Sequence, residues 1–241
     1  MLRKKLAVVA FGGNALLRAG QKGTIEEQEA NVYKTCESLL DLIKRDYNLV
    51  IGHGNGPQVG NILLQNNAGE KMFQIPEMPL AVCGAYSQGF IGYIIEQQFR
   101  NVLTNNSLRK NIVTLVTEVV VDKYDRGFRN PTKPIGPYYT KEEMEALKQK
   151  NPQDSFAEDP KGKGWRKVVA SPKPIEINNK NIVKELAEKG NIVVTVGGGG
   201  IPVYENENGE LHGIDAVIDK DLASSLLAIQ IGADEFYILT D

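Results

Sequence analysis

Leu6-Ala-Val-Val-Ala-Phe-Gly-Gly-Asn14 and Leu49-Val-Ile-Gly-His-Gly-Asn-Gly56 share one pattern, a short β-type apolar run that breaks into a glycine turn. Between them, Thr24 and Glu27 have the spacing of a capping box, and Val32, Cys36, Leu39, Leu40 and Ile43 recur at helical intervals behind it. Strand, helix, strand is a βαβ unit. Its strands run parallel, and both glycine turns fall at the carboxyl edge of the sheet, where open α/β sheets hold ligands. A third turn of the same kind, Gly197-Gly-Gly-Gly200, follows the strand-like Ile192 to Val196. Successive backbone N–H groups of such turns converge on anions, and the missing Cβ lets a ligand approach closely. The function is expected where the three turns meet.

The intervening chain reads as further α/β elements. Gly52 to Gly60 leads into a helix with Val59, Ile62 and Leu63, and a longer helix is predicted from about Leu80 to Leu103. Its Gly84, Gly89 and Gly92 weaken a helix unless something packs closely, which a dimer contact or tight packing on the sheet would each explain. Ile112 to Val121 is strand-like. From Asp122 to Pro174 the character changes to prolines, charges, Trp165 and a second capping box at Thr140 and Glu143, the signature of an inserted subdomain. A helix at Ile182 to Lys189 ends at Gly190, Asn208-Gly209 reads as a hairpin turn, and a helix from Leu222 to Gln230 is predicted to carry Leu222, Leu226 and Ile229 on one face. Phe236 to Leu239 is the last strand, followed only by Thr240 and Asp241. An α/β unit that stops on a strand lacks its next crossover, so the expectation is an incomplete carboxy-terminal lobe.

With 241 residues, 41% of them hydrophobic, the chain is able to bury a full core. A net charge of −2 provides no basic stripe for nucleic acid or anionic lipid and favours a small-molecule partner. No apolar run reaches membrane-spanning length, and Met1-Leu-Arg-Lys-Lys5 leads straight into a strand, so a cytoplasmic protein is expected. Cys36 and Cys83 lie in apolar helical patterns without a C-x-x-C or Cys/His cluster, and read as buried thiols.

The chain has no G-x-x-x-x-G-K-[ST] loop, and Gly54-Asn-Gly-Pro-Gln-Val-Gly60 spaces its last glycine one residue too far for the dinucleotide fingerprint. A site in which several glycine turns share a phosphate chain, with lysines brought from elsewhere, suits phosphoryl transfer, whose catalysis is mostly positioning and charge stabilisation. Lys133, stiffened between Pro131 and Pro134, is either such a lysine or a solvated loop cation. Lys220 lies between Asp219 and Asp221 ahead of a helix that Asp221 would cap, and an aspartate between two cations is able to hold both. His53 and His212 are lone histidines, and His53 is expected to be structural or to sit behind the ligand.

Phe11-Gly-Gly-Asn-Ala-Leu16, Gly54 to Gly60, Cys83-Gly-Ala-Tyr-Ser-Gln-Gly-Phe-Ile-Gly92, Asn130-Pro-Thr-Lys-Pro-Ile-Gly136, Gly197 to Pro202 and Val217-Ile-Asp-Lys-Asp-Leu-Ala-Ser224 together resemble the carbamate kinases of the amino-acid kinase superfamily. The likeness covers nearly the whole chain. The resemblance implies a three-layer αβα sandwich on a mainly parallel open sheet, with 122–174 as an inserted protruding subdomain. Residues 1–217 would form the lobe for carbamate or carbamoyl phosphate, and 218–241 would begin the lobe for ATP or ADP. By motif position, Gly12, Gly13, Asn14, Gly54, Asn55 and Gly56 would line the carbamate and phosphoryl site. Lys133 would reach down from the subdomain, Lys220 would stabilise the transferring phosphoryl group, and Asp221 would orient the lysines. Gly197, Gly198, Gly199, Asp219, Lys220, Thr240 and Asp241 would serve the nucleotide. Mg2+ would come with the nucleotide and need no dedicated protein ligands, and the enzyme would be a homodimer that often makes ATP at the end of arginine breakdown.

Two departures qualify the likeness. Many superfamily relatives carry a lysine two residues before the first Gly-Gly, where this chain has Ala10; carbamate kinases share that lack. The Gly-Pro-Lys segment that the family uses on nucleotide phosphates is absent from these 241 residues, which leaves the activity of the chain by itself open. Two alternatives stand beside the resemblance. One is another amino-acid kinase acting on a carboxylate such as acetylglutamate, against which Ala10 argues; the other is a nucleotide-binding sensor that kept the fold and lost catalysis.

Overall fold

The computed structural model describes residues 3–18 and 20–239. Strand β1 (Leu6–Phe11) runs into α1 (Ile25–Ser38), which starts at the capping box of Thr24 and Glu27, and continues through α2 (Leu40–Lys44) to β2 (Asn48–His53). The single helix expected over Val32 to Ile43 is thus broken at Leu39, which caps α1 with its backbone N–H on Cys36 and Glu37 carbonyls. Then follow α3 (Gly56–Phe73), α4 (Leu80–Asn105), β3 (Ile112–Thr114) and β4 (Glu118–Val121). The insertion contributes β5 (Lys133–Tyr139), α5 (Lys141–Lys150), β6 (Ser155–Glu158) and β7 (Trp165–Val169). The main body resumes with β8 (Pro174–Ile177), α6 (Lys180–Glu188), β9 (Ile192–Val194), β10 (Ile201–Glu205), β11 (Leu211–Gly213), α7 (Lys220–Ile231) and β12 (Glu235–Leu239).

The central sheet has the order β12-β1-β2-β9-β3, and every pair in it is parallel. Because β1 is buried on both faces, its side chains alternate between two cores. Ala7, Val9 and Phe11 pack with Val32, Cys36, Ile95 and Phe99 of α1 and α4. Leu6 and Val8 pack with Val183 and Ala187 of α6 and with Ala223 and Leu227 of α7. This alternation builds the three layers of an αβα sandwich. A second, mixed sheet, β11-β10-β4-β8, flanks the first, and β5-β7-β6 form an antiparallel sheet of their own in the inserted subdomain.

One expectation fails for packing reasons. The run Ile112 to Val121 is not one strand: β3 joins the central sheet and β4 the second one. At the switch, Thr117 N–H is taken by the Oε1 of Gln88 (2.8 Å) and its hydroxyl meets that of Thr195 (2.6 Å). In α7 the buried face is Ala223, Ser224, Leu227, Ala228 and Ile231, while Leu222 is 50% and Ile229 74% exposed. The small face wins because the helix lies close to the sheet: a Cβ on Gly52 of β2 would run into the Ser224 hydroxyl. In α4, Gly92 is pressed against the Thr114 side chain, whereas Gly84 and Gly89 have open space. Cys36 and Cys83 are both free and buried, as expected, and burial pushes the Cys36 thiol well above its ordinary pKa.

The insertion is seated on α3 through two glycines. A Cβ on Gly60 would collide with the backbone N and Cα of Gly136 in β5, so only glycine lets the two segments touch. Gly60→Ala is expected to lower stability by about 2 kcal/mol through overpacking, read as a shift in the urea midpoint. His53, the last residue of β2, is 1% exposed and its Nδ1–H donates to the Gly54 carbonyl at 2.9 Å. Burial lowers its pKa to about 4. The unfolded chain therefore binds a proton first as pH falls, and stability contributed by neutral His53 is lost from about pH 6.5 downward, about 3 kcal/mol by pH 4. Urea titrations across that window are expected to show a shallower acid limb in His53→Gln.

Candidate functional site

The ends of β1 and β2, neighbours in the parallel sheet, set the first two turns side by side. After Phe11 the backbone is extended at Gly12 and closes into a short 3-10 turn over Gly13–Ala15. After His53 the chain enters α3, whose N-cap is Asn55. That cap makes no side-chain hydrogen bond to its own helix; Asn55 Nδ2 donates to Ser87 Oγ on α4 at 2.8 Å instead. The first N–H groups of α3 are left without a side-chain partner, a polarity that favours an anion.

The third turn arrives from β9. Val196, Gly198, Gly199 and Gly200 all have positive φ, so the chain doubles back within a few residues. Close packing forbids side chains here. A Cβ on Gly198 would strike the Asn55 amide, one on Gly199 the Ile218 carbonyl, and one on Gly197 would come within 2.5 Å of His53 Nε2. Gln88 of α4 braces the turn, donating to the carbonyls of Thr117 (3.1 Å) and Gly197 (3.0 Å).

The cations come from two further elements. Lys133 Nζ, at the start of β5, donates to Asp219 Oδ2 at 2.7 Å. Asp219 Oδ1 accepts from the N–H groups of Asp221 (2.9 Å) and Leu222 (3.2 Å), so the cap of α7 is Asp219, not the expected Asp221. Asp221, already in the first turn, is paired with Lys220 at 2.6 Å. Each lysine thus has its own carboxylate, Lys133 with Asp219 and Lys220 with Asp221. Burial opposes ionisation of Asp219, but the bond and charge of Lys133 with the two N–H donors outweigh it and hold its pKa below the ordinary value. The Lys220 stem crosses the second turn, where a Cβ on Gly54 would meet its Cδ at 3.2 Å.

These groups enclose a pocket of about 250 Å³. Gly13, Gly54, Asn55, Gly56, Lys133, Gly198, Asp219, Lys220 and Asp221 line it, which brings together residues chosen from five separate stretches of sequence. Gly12, Gly197 and Gly199 are not in its wall; Gly197 and Gly199 are buried behind it. Asn14 lies within the first turn, while Thr240 and Asp241 fall outside the described residues. Sequence reasoning missed Ser87 and Gln88. Their signal was present: two polar residues on the face of α4 that otherwise buries Cys83, Ile91 and Ile95. It also missed Gln58, a buried wall residue whose Nε2 donates to Gln28 Oε1 at 2.9 Å.

The amino acid kinase family model matches residues 5–241. A carbamate kinase of Thermococcus kodakarensis is 50% identical over 238 residues, 98% of this chain and 75% of the relative. One of Pyrococcus horikoshii is 49% identical over 234 residues, 97% of this chain and 74% of the relative. Among solved structures, the carbamate kinase of Giardia lamblia bound to citric acid superposes with a TM-score of 0.94 at 47% identity, covering all of this chain and 76% of that one. The same enzyme bound to AMP-PNP superposes at 0.86. The chain belongs to the amino acid kinase family and, within it, to the carbamate kinases.

Proposed function

We propose that the protein transfers a phosphoryl group reversibly between ATP and carbamate, giving ADP and carbamoyl phosphate, and that in the cell it makes ATP at the end of arginine breakdown. The observation that carries this reading is a pair of lysines, Lys133 and Lys220, each fixed by an aspartate at the wall of a pocket whose other walls are glycine turns. In the forward direction a carbamate oxygen attacks the γ-phosphorus, the bond from phosphorus to the ADP oxygen breaks, and the electron pair leaves on ADP. The acceptor is already an anion, so no general base is required. The demand is for positive charge around the phosphoryl oxygens, and two ammonium groups with converging N–H donors meet it. Binding of AMP-PNP by the Giardia relative supports a nucleotide as the second ligand.

In this reading residues 1–217, with the insertion 122–174, hold the acyl phosphate, and 218–241 open the nucleotide lobe. Lys133 and Lys220 touch the transferring group, with Asp219 and Asp221 as their positioning carboxylates. Gly12, Gly13, Asn14, Gly54, Asn55 and Gly56 receive the carbamate, while Gly197, Gly198, Gly199, Thr240 and Asp241 serve the nucleotide side. Mg2+ would arrive on the nucleotide and screen its phosphates, taking most of its ligands from phosphate and water. Among the described residues, no three His, Cys, Asp or Glu side chains cluster to hold a metal.

The protein is further proposed to be a cytoplasmic homodimer. Among the described residues no helix is long and apolar enough to cross a membrane. On α4, Val82, Tyr86, Phe90 and Tyr93 form an exposed apolar stripe at helical spacing, with Tyr86 49% and Tyr93 58% exposed. The open space above Gly89 allows a second helix to approach there.

A coupled assay of ATP formation from carbamoyl phosphate and MgADP, run on the full-length protein, tests the reaction; turnover with acetylglutamyl phosphate in its place would overturn it. Lys133→Ala is expected to depress turnover by roughly a hundredfold or more with little loss of nucleotide affinity, and near-normal turnover would refute its role. In sedimentation velocity, Tyr93→Glu is expected to convert the dimer to a folded monomer.

A further inference from the structure

Pro57 belongs to the walls of two hollows, the pocket described above and a larger one of about 580 Å³. The partition between them is thin along the chain. Leu16 and Pro134 line the first, and Leu17 and Gly136 line the second. The charged residues of the larger hollow are all cations, Arg18, Lys22, Lys163 and Arg166, in a chain whose net charge is −2. Among the described residues none of the four takes part in an ion pair. Arg166 is held firmly: its Nε and Nη2 donate to the Gly136 carbonyl at 3.0 and 2.8 Å, and its guanidinium lies over the Tyr138 ring, 5.3 Å from the centroid. Its Nη2 would stand 4.0 Å from a Cβ on Gly56, so this charge sits beside the second phosphate turn. Asp159, whose charge Arg166 feels, is occupied by the Tyr138 hydroxyl (3.2 Å) and the Lys161 N–H (2.8 Å).

We propose that this hollow is an antechamber that gathers the small phosphorylated or carboxylate anion before it passes Pro57 into the pocket. The inference rests on the functional reading above and deepens it: the acyl phosphate approaches from the side of the insertion, and the nucleotide from the side of α7. A concave surface lined by one sign of charge raises the local concentration of the opposite ion, and exposed charges lose that effect within a Debye length of about 10 Å at 0.1 M salt.

The test uses the full-length protein and the triple variant Arg18→Gln, Lys22→Gln, Lys163→Gln. These side chains are exposed, so folding is expected to survive. At an ionic strength of about 10 mM the KM for carbamoyl phosphate is expected to rise about tenfold in the variant, while the KM for MgADP stays the same. At about 1 M, where the Debye length falls to about 3 Å, the difference is expected to vanish. An unchanged KM for carbamoyl phosphate at low salt, or an equal rise for both substrates, would overturn the antechamber. If the unaltered protein turns over no carbamoyl phosphate, the functional reading fails, and inorganic phosphate binding by calorimetry decides the rest. A salt-sensitive loss of phosphate affinity in the variant then sustains an anion hollow; equal affinities sink it.

Discussion

One carboxylate joins two parts of the molecule that no local rule would bring together. Asp219 caps α7 with one oxygen and receives Lys133, 86 residues away on the inserted subdomain, with the other. Were it only a cap, Lys133 would have no fixed height above the glycine turns. Were it only a lysine partner, the first turn of α7 would lose its satisfied N–H groups and Lys220 its rigid mount. The shared carboxylate therefore sets both cations relative to one frame, the helix whose small-residue face lies on the central sheet.

That frame needs the glycine turns for steric reasons before electrostatic ones. At Gly197 and Gly198 a Cβ would displace His53 and Asn55, residues that belong to the second turn and the cap of α3. Side chains there would push two strand ends apart and widen the pocket. Behind the turns, Ser87 and Gln88 of α4 hold Asn55, Thr117 and Gly197, so the long helix serves as a brace for backbone that has little regular hydrogen bonding of its own. His53, neutral because it is buried, completes this packing without adding charge.

Much of this was legible in the residues. The strand over Leu6 to Phe11, both capping boxes and the shift of character after Asp122 follow from local patterning, and the parallel sheet with its turns at one edge follows from the βαβ order. What was hidden depends on partners distant in sequence. The run from Ile112 to Val121 is uniformly β-prone, and only Gln88 and Thr195, packed on Thr117, divide it between two sheets. Helix α7 carries larger side chains on the face that stays outside, so hydrophobicity pointed the wrong way, and the proximity of Gly52 to Ser224 decided its rotation. The pairing of Lys133 with Asp219 leaves no trace in either local sequence.

The distribution of charge explains why the site is divided among so many elements. A transferring phosphoryl group carries its charge on three oxygens between two other anions, so cations must surround it without collapsing onto one another. Two lysines on one helix turn would repel and splay. Bringing one from α7 and the other from a separate sheet, each neutralised by its own aspartate, allows both to stand at the same pocket. An anion entering the pocket offers both lysines a second partner, while Asp219 keeps its two backbone N–H donors. The two salt bridges hold the ammonium groups apart, and the insertion brings the second of them to the pocket from outside the αβα core.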